Sequence, residues 1–150
     1  NTAAGQNSVA MGNYNYATGD SSVAIGKESY AEGAGTVAIG FKNHAAGGGS
    51  TALGQENISW GTTNFTAGYQ NTAGDTTAAV GTAGSAIAMG YKNIASGRSS
   101  AAFNRGTKSI NQASSSMGLG TTSDNFGMLA IGVNNAIKPL ALSRSLLSGW

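Results

Sequence analysis

A five-residue phrase returns at a fixed interval along this chain: Ser8-Val9-Ala10-Met11-Gly12, Ser22-Val23-Ala24-Ile25-Gly26, Thr36-Val37-Ala38-Ile39-Gly40 and Ser50-Thr51-Ala52-Leu53-Gly54. The interval is fourteen residues. A second signature, Ala-x-Gly, keeps the same step at Ala17-Thr18-Gly19, Ala31-Glu32-Gly33 and Ala45-Ala46-Gly47. This constrains the fold more than any composition does. A unit so short cannot bury a core by itself, so the copies must stack on one another as a solenoid.

The glycine closing each phrase serves as a reference. The references are Gly12, Gly26, Gly40, Gly54, Gly68, Gly81, Gly90, Asn104, Gly120 and Gly132. The array is regular to Gly68 and irregular beyond it, with about ten repeats in all. Large apolar residues lie three before and one before the reference, and a small residue lies between them. Side chains alternate faces along a strand. The large residues therefore share one face, and Ala10, Ala24, Ala38 and Ala52 share the other. Five residues after the reference is a second small column that includes Ala17, Ala31 and Ala45. Each repeat reads as strand, turn, strand, turn, with the two small columns facing each other inside a flat coil. Asn15, Asn43, Asn57, Asn71 and Asn93 occupy a turn column, where asparagine tolerates tight backbone geometry.

The other face of the first strand carries Val9, Met11, Val23, Ile25, Val37, Ile39, Leu53, Ile87, Met89, Leu129 and Ile131, and nothing in the repeat can cover it. Burying such a side chain is worth roughly 1.5–3 kcal/mol. A soluble monomer rarely exposes so long an apolar stripe. An obligate oligomer is expected, with these residues at its interface.

Composition excludes several classes. Charged residues make up 9% of the chain, against about a quarter in ordinary domains. With one proline and little charge, the chain lacks the usual signature of disorder. There is no cysteine, hence no disulfide or thiolate chemistry. No signal-peptide pattern opens the sequence and no apolar run reaches the length of a membrane span, so any anchor is expected outside this chain. Charge is unevenly placed. Residues 1–90 hold two lysines against five acids, a net of −3, and residues 91–150 hold six cations against one acid, a net of +5. Lys92, Arg98, Arg105 and Lys108 are the candidate contact surface for an anionic partner.

Catalysis is poorly supported. His44 is the single histidine and falls in an outward column with Tyr16, Tyr30, Ile58, Thr72 and Ile94. A nucleophile–base pair needs a third orienting group, and none is placed. The acids are scattered, with no calcium nonapeptide and no phosphate-cradling glycine loop. No enzyme activity, cofactor, metal or nucleic-acid partner is expected. Trp60 falls outward by column and Phe65 falls among the large apolar residues; local packing is the expected role of both. Asn57-Ile58-Ser59 and Asn64-Phe65-Thr66 match the glycan acceptor pattern and read as chance matches.

The Ser-Val-Ala-Ile-Gly…Ala-x-Gly repeat resembles the heads of trimeric autotransporter adhesins of the YadA type, strongly over residues 1–68 and with gaps over 69–132. The resemblance implies an all-β, left-handed parallel β-roll assembled as a homotrimer. It also implies a bacterial surface protein, anchored in the outer membrane through a missing C-terminal region. Such a protein would bind host matrix such as collagen, fibronectin or laminin, or mediate cell aggregation. Residues 1–135 would be the head and 136–150 a non-repeat tail or cap. Two other readings suit the same repeat: a receptor-binding or shaft segment of a phage tail fibre, and a structural spacer carrying another binding domain. An ice-binding face would need a consistent outward threonine column, which is lacking.

Overall fold

The computed structural model describes residues 1–77 and 84–137. Among these the chain is all-β with no helix. Five-residue strands alternate with two-residue strands. The long ones are β2 (Val9–Asn13), β4 (Val23–Lys27), β6 (Val37–Phe41), β8 (Thr51–Gln55), β10 (Phe65–Tyr69), β12 (Ile87–Tyr91), β14 (Ala101–Arg105), β16 (Ser115–Leu119) and β18 (Leu129–Val133). The short ones are β1 (Thr2–Ala3), β3 (Tyr16–Ala17), β5 (Tyr30–Ala31), β7 (His44–Ala45), β9 (Ile58–Ser59), β11 (Thr72–Ala73), β13 (Ile94–Ala95), β15 (Lys108–Ser109), β17 (Thr122–Ser123) and β19 (Ala136–Ile137).

Every pairing is parallel, and each strand pairs with its equivalents in the coils before and after. Among the described residues the long strands make a nine-stranded sheet and the short strands a ten-stranded one. The molecule is a parallel β-solenoid of about nine turns, one fewer than the sequence suggested. At about 4.8 Å per coil, nine coils extend roughly 40 Å.

The space between the sheets is narrow. Ala17, Ala24, Ala31, Ala38, Ala45 and Ala52 are fully buried and form one cluster, with Ala10 packed against its end. Among the described residues, no fully buried side chain is larger than asparagine. The alternation read from the sequence therefore points the small columns inward, as expected.

Register corrects the sequence reading in the later coils. Gly68 pairs directly with Gly90, so β10 and β12 belong to consecutive coils whose equivalent positions are 22 residues apart. The repeat assigned to Ala79, Val80 and Gly81 lies outside the described residues. Gly118, not Gly120, pairs with Asn104 and Gly132. Met117 accordingly takes the column of Phe103 and Ile131, and Leu119 moves to the next column with Arg105 and Val133. After these changes every other interval is fourteen. Hydrogen-bonded pairing sets this register, and loop length does not. Ala136–Ile137 pairs with Thr122–Ser123, which carries the solenoid two residues past the expected boundary at 135. The rest of the tail, residues 138–150, lies outside the described residues.

The reference column needs glycine for a physical reason. Gly26 has φ +118, and a Cβ built there would meet the Gly40 carbonyl oxygen at 2.0 Å. Adjacent coils approach through bare backbone at this column. Asn104 is the exception among the described residues, at φ 82.

Candidate interaction surfaces

Four features follow from this architecture: an asparagine spine, an apolar face, a row of outward aromatics and a set of cations on the turns.

The spine departs from its sequence reading. Asn15, Asn43, Asn57, Asn71 and Asn93 are fully buried, and none is in the left-handed region. The left-handed residues of this turn stand one position earlier: Tyr14, Glu28, Lys42, Glu56, Gln70 and Lys92, with φ between 52 and 56. The asparagines instead link coils. Asn71 Nδ2 donates to Asn57 Oδ1 at 3.0 Å, to the Ala67 carbonyl at 3.0 Å and to the Gly90 carbonyl at 2.8 Å. Asn71 backbone N–H also donates to Asn57 Oδ1, at 3.0 Å. The turn carbonyls and amides are thereby satisfied inside the roll, as buried backbone groups must be. Ser29 and Thr107 interrupt the column with hydroxyls. Thr107 Oγ1 donates to Asn93 Oδ1 at 2.8 Å. Burial also answers the glycan question, because Asn57 and Asn64 are 0% and 1% exposed.

The apolar face lies on the outside of the long-strand sheet. Met11, Ile39, Met89, Leu129 and Ile131 are exposed there, with Val9 and Ile87, and Val23, Ile25, Val37 and Leu53 are half-buried by neighbours in adjacent coils. Phe103 and Met117 extend the column through the later coils. Every coil contributes, so the face is continuous along the axis.

Outside the short-strand sheet runs an aromatic row. Tyr16 and Tyr30 stack with centroids 5.0 Å apart and planes 5° from parallel. His44 meets Tyr30 edge-on at 5.9 Å and Trp60 edge-on at 5.8 Å. Trp60 thus stands outward and packs locally. His44 Nε2 lies 3.2 Å from Glu32 Oε2. A depression of about 430 Å³ beside this row is lined by Glu28, Tyr30, Lys42, His44, Glu56 and Ile58. Along its margin Glu28 sits 3.5 Å from Lys27 and 3.6 Å from Lys42. Gln70 donates to Glu56 at 2.5 Å, and this bond, then that from Gln55, holds the Glu56 carboxyl below its ordinary range. Stacked rings present edges, not faces, to solvent, so Tyr16 and Tyr30 make a poor platform for a flat ligand. Among the described residues no group of three or more metal-ligating side chains is assembled.

The four candidate cations do not form one patch. Lys92 and Arg105 both meet the Tyr91 ring, at 5.2 and 5.3 Å from its centroid. Lys108, on β15, follows Arg105 across a two-residue turn. Arg98 lies in the turn between β13 and β14, at the opposite margin of the coil. The sequence separation concealed this split, and the strand–turn assignment reveals it. Tyr91 was missed, although its place one after the reference glycine, like Tyr69, was readable.

A parallel solenoid whose narrow interior is closed by alanine and asparagine, and which shows one continuous apolar face, belongs to the class of β-roll head modules. The family model of the YadA head domain repeat, which itself spans two copies of the repeat, matches three stretches, residues 3–29, 31–57 and 82–103. The chain belongs to this YadA head-repeat family, which suggests an adhesin-like role at a cell surface. No curated protein matches the chain.

Proposed function

We propose that this chain is the head of a homotrimeric bacterial adhesin that attaches cells to host matrix and to one another. Three left-handed rolls pack side by side, with their Val/Ile/Met faces turned to a common axis. The short-strand sheets and the turns face outward. The head is displayed at the cell surface through an outer-membrane anchor beyond this chain. Its activity is binding, with no bond chemistry and no cofactor.

The observation that carries the reading is the uninterrupted apolar face, present in every coil and exposed on the single chain. A face of that extent is covered by partners in soluble proteins, and closed cyclic symmetry covers it with identical copies. Membership of the YadA head-repeat family supports the role. The surface left outside such a trimer is long, stiff and weakly charged, which suits many weak contacts acting together.

Beads coated with purified head test this reading. They are expected to adhere to collagen, fibronectin, laminin or other head-coated beads, and single particles are expected to bind far more weakly. Beads that adhere to none of these surfaces would sink the adhesin reading in favour of a fibre shaft or spacer.

A further inference from the structure

The acids of the first half of the solenoid are already engaged. Asp20 Oδ1 accepts the Gln6 N–H at 2.8 Å. Glu28 is paired with Lys27 and Lys42, Glu56 is held by Gln70, and Glu32 lies 3.2 Å from His44. The cations of the later coils are in the opposite condition. Lys92, Arg105 and Lys108 are exposed, and among the described residues no carboxylate lies within ion-pair distance of any of them.

Two of these cations, Lys92 and Arg105, rest against one ring, and Lys108 follows Arg105 across a two-residue turn. Tyr69, Tyr91 and Arg105 occupy the same column in consecutive coils. Tyr69 stacks on Tyr91 at 5.2 Å and 21°. The Lys92 ammonium and the Arg105 guanidinium rest at 5.2 and 5.3 Å from the Tyr91 centroid. Cations held against a ring lose less freedom when a ligand binds. A guanidinium offers a planar fork of donors to an oxyanion.

We propose that Lys92 and Arg105, held against Tyr91, together with Lys108 in the coil of Arg105, bind the sulfate and carboxylate groups of a matrix glycosaminoglycan. Lys92 stands in one coil, and Arg105 and Lys108 stand in the next, about 4.8 Å further along the axis, separated from each other by a two-residue turn. That arrangement suits the repeating charges of a linear polymer better than one small anion. The acidic half of a second copy does not fit, because Glu28 is held by Lys27 and Lys42, Glu56 by Gln70, and Asp20 by the Gln6 N–H. A bilayer or a nucleic acid is typically held by roughly 4–8 or 6–10 cations, more than this stripe carries. Ile94 and Thr122, which flank Lys108 on the same sheet, are uncharged. Arg98, at the far margin of the coil, takes no part. This inference rests on the adhesin reading and names one class of matrix ligand for it.

The test uses the whole chain in its native assembly, passed over immobilised heparin. Retention is expected, with elution as salt rises because exposed charges are screened. Soluble heparin should compete and desulfated heparin should not. Lys92→Gln with Arg105→Gln should weaken binding about a hundredfold, each lost charge-assisted contact counting for roughly tenfold. Arg98→Gln should change it less than about twofold, since a rim charge outside the contact contributes little. Light scattering and thermal melting of the variants should match the parent, because these side chains are exposed. Failure of the parent to bind heparin would overturn the site, as would equal competition by desulfated heparin or equal loss in Arg98→Gln. Tighter binding to duplex DNA or to phosphatidylserine vesicles would do the same. The bead assay separates the two claims. Matrix adhesion without heparin retention removes this site and leaves the adhesin. Sulfate-dependent retention that the double variant loses upholds the site even where beads ignore matrix proteins.

Discussion

Asn57 Nδ2 donates to Asn43 Oδ1 across 3.0 Å, from one coil of the solenoid to the one before, and both side chains are wholly buried. The same amide reaches the Leu53 and Gly68 carbonyls at 2.9 and 2.8 Å. One side chain therefore ties three successive coils together. Asn57→Ala removes all of these bonds and leaves buried backbone groups unpaired. It is expected to cost about 3 kcal/mol or more, measured by urea unfolding. Asn57→Thr should cost less, because threonine already serves in this column at Thr107. An alanine variant as stable as the parent would show that water replaces the ladder.

The trimer can be tested at its axis. Ile39 is 38% exposed on the single chain, in a column filled by Ile25 before it and Leu53 after it. Light scattering should give three chains per particle. Ile39→Asp or Ile25→Asp should prevent assembly by placing unpaired charges in an apolar interface. A folded, soluble monomer from the parent sequence would contradict the proposed architecture.

The narrow interior makes a steric prediction. Ala24 is fully buried in a cluster that includes Ala31 and Ala38. Ala24→Leu should overpack it and lose roughly 1–3 kcal/mol or more, seen as a lower melting temperature. An unchanged melting temperature would mean that the coil can widen, which the backbone contacts at Gly26 oppose.

Glu56 gives a pH dependence with a definite sign. Its carboxyl is held below the ordinary range, first by Gln70 and then by Gln55. The stabilisation is present above the unfolded-state value and is lost as pH falls through the lower folded-state value. Glu56→Gln should therefore lower the melting temperature slightly at neutral pH. The difference should vanish well below the carboxylate range. A difference that grows in acid would reverse the assignment. The effect is small because the carboxyl is partly open to solvent, which screens it.

His44→Ala should leave matrix adhesion unchanged and reduce stability only by the value of its edge contacts with Tyr30 and Trp60, about 0.5–1.5 kcal/mol each. Metal analysis of protein purified without chelator should find no stoichiometric transition metal. One tightly held zinc or iron per chain would overturn the reading of a binding head without chemistry.

The sequence by itself determined the coil. Side chains in a strand alternate faces whatever surrounds them, so the pattern Val-Ala-Ile already assigned Ala24 and Ala38 to the interior and Ile25 and Ile39 to the outside. The fourteen-residue step already required stacking. Only the tertiary structure decided which coils are neighbours once loop lengths vary. Gly68 pairs with Gly90, and Gly118 with Asn104, because hydrogen-bonded register between coils is a non-local property that spacing along the chain does not report. It also decided what the asparagines do. Local propensity suggests a turn residue at Asn57, but the left-handed conformation falls on Glu56. Asn57 is turned inward, where the next coil supplies partners that no single repeat contains. The cations follow the same rule. Lys92 and Arg105 are thirteen residues apart in sequence yet meet one ring, because parallel coiling brings positions about one repeat apart side by side.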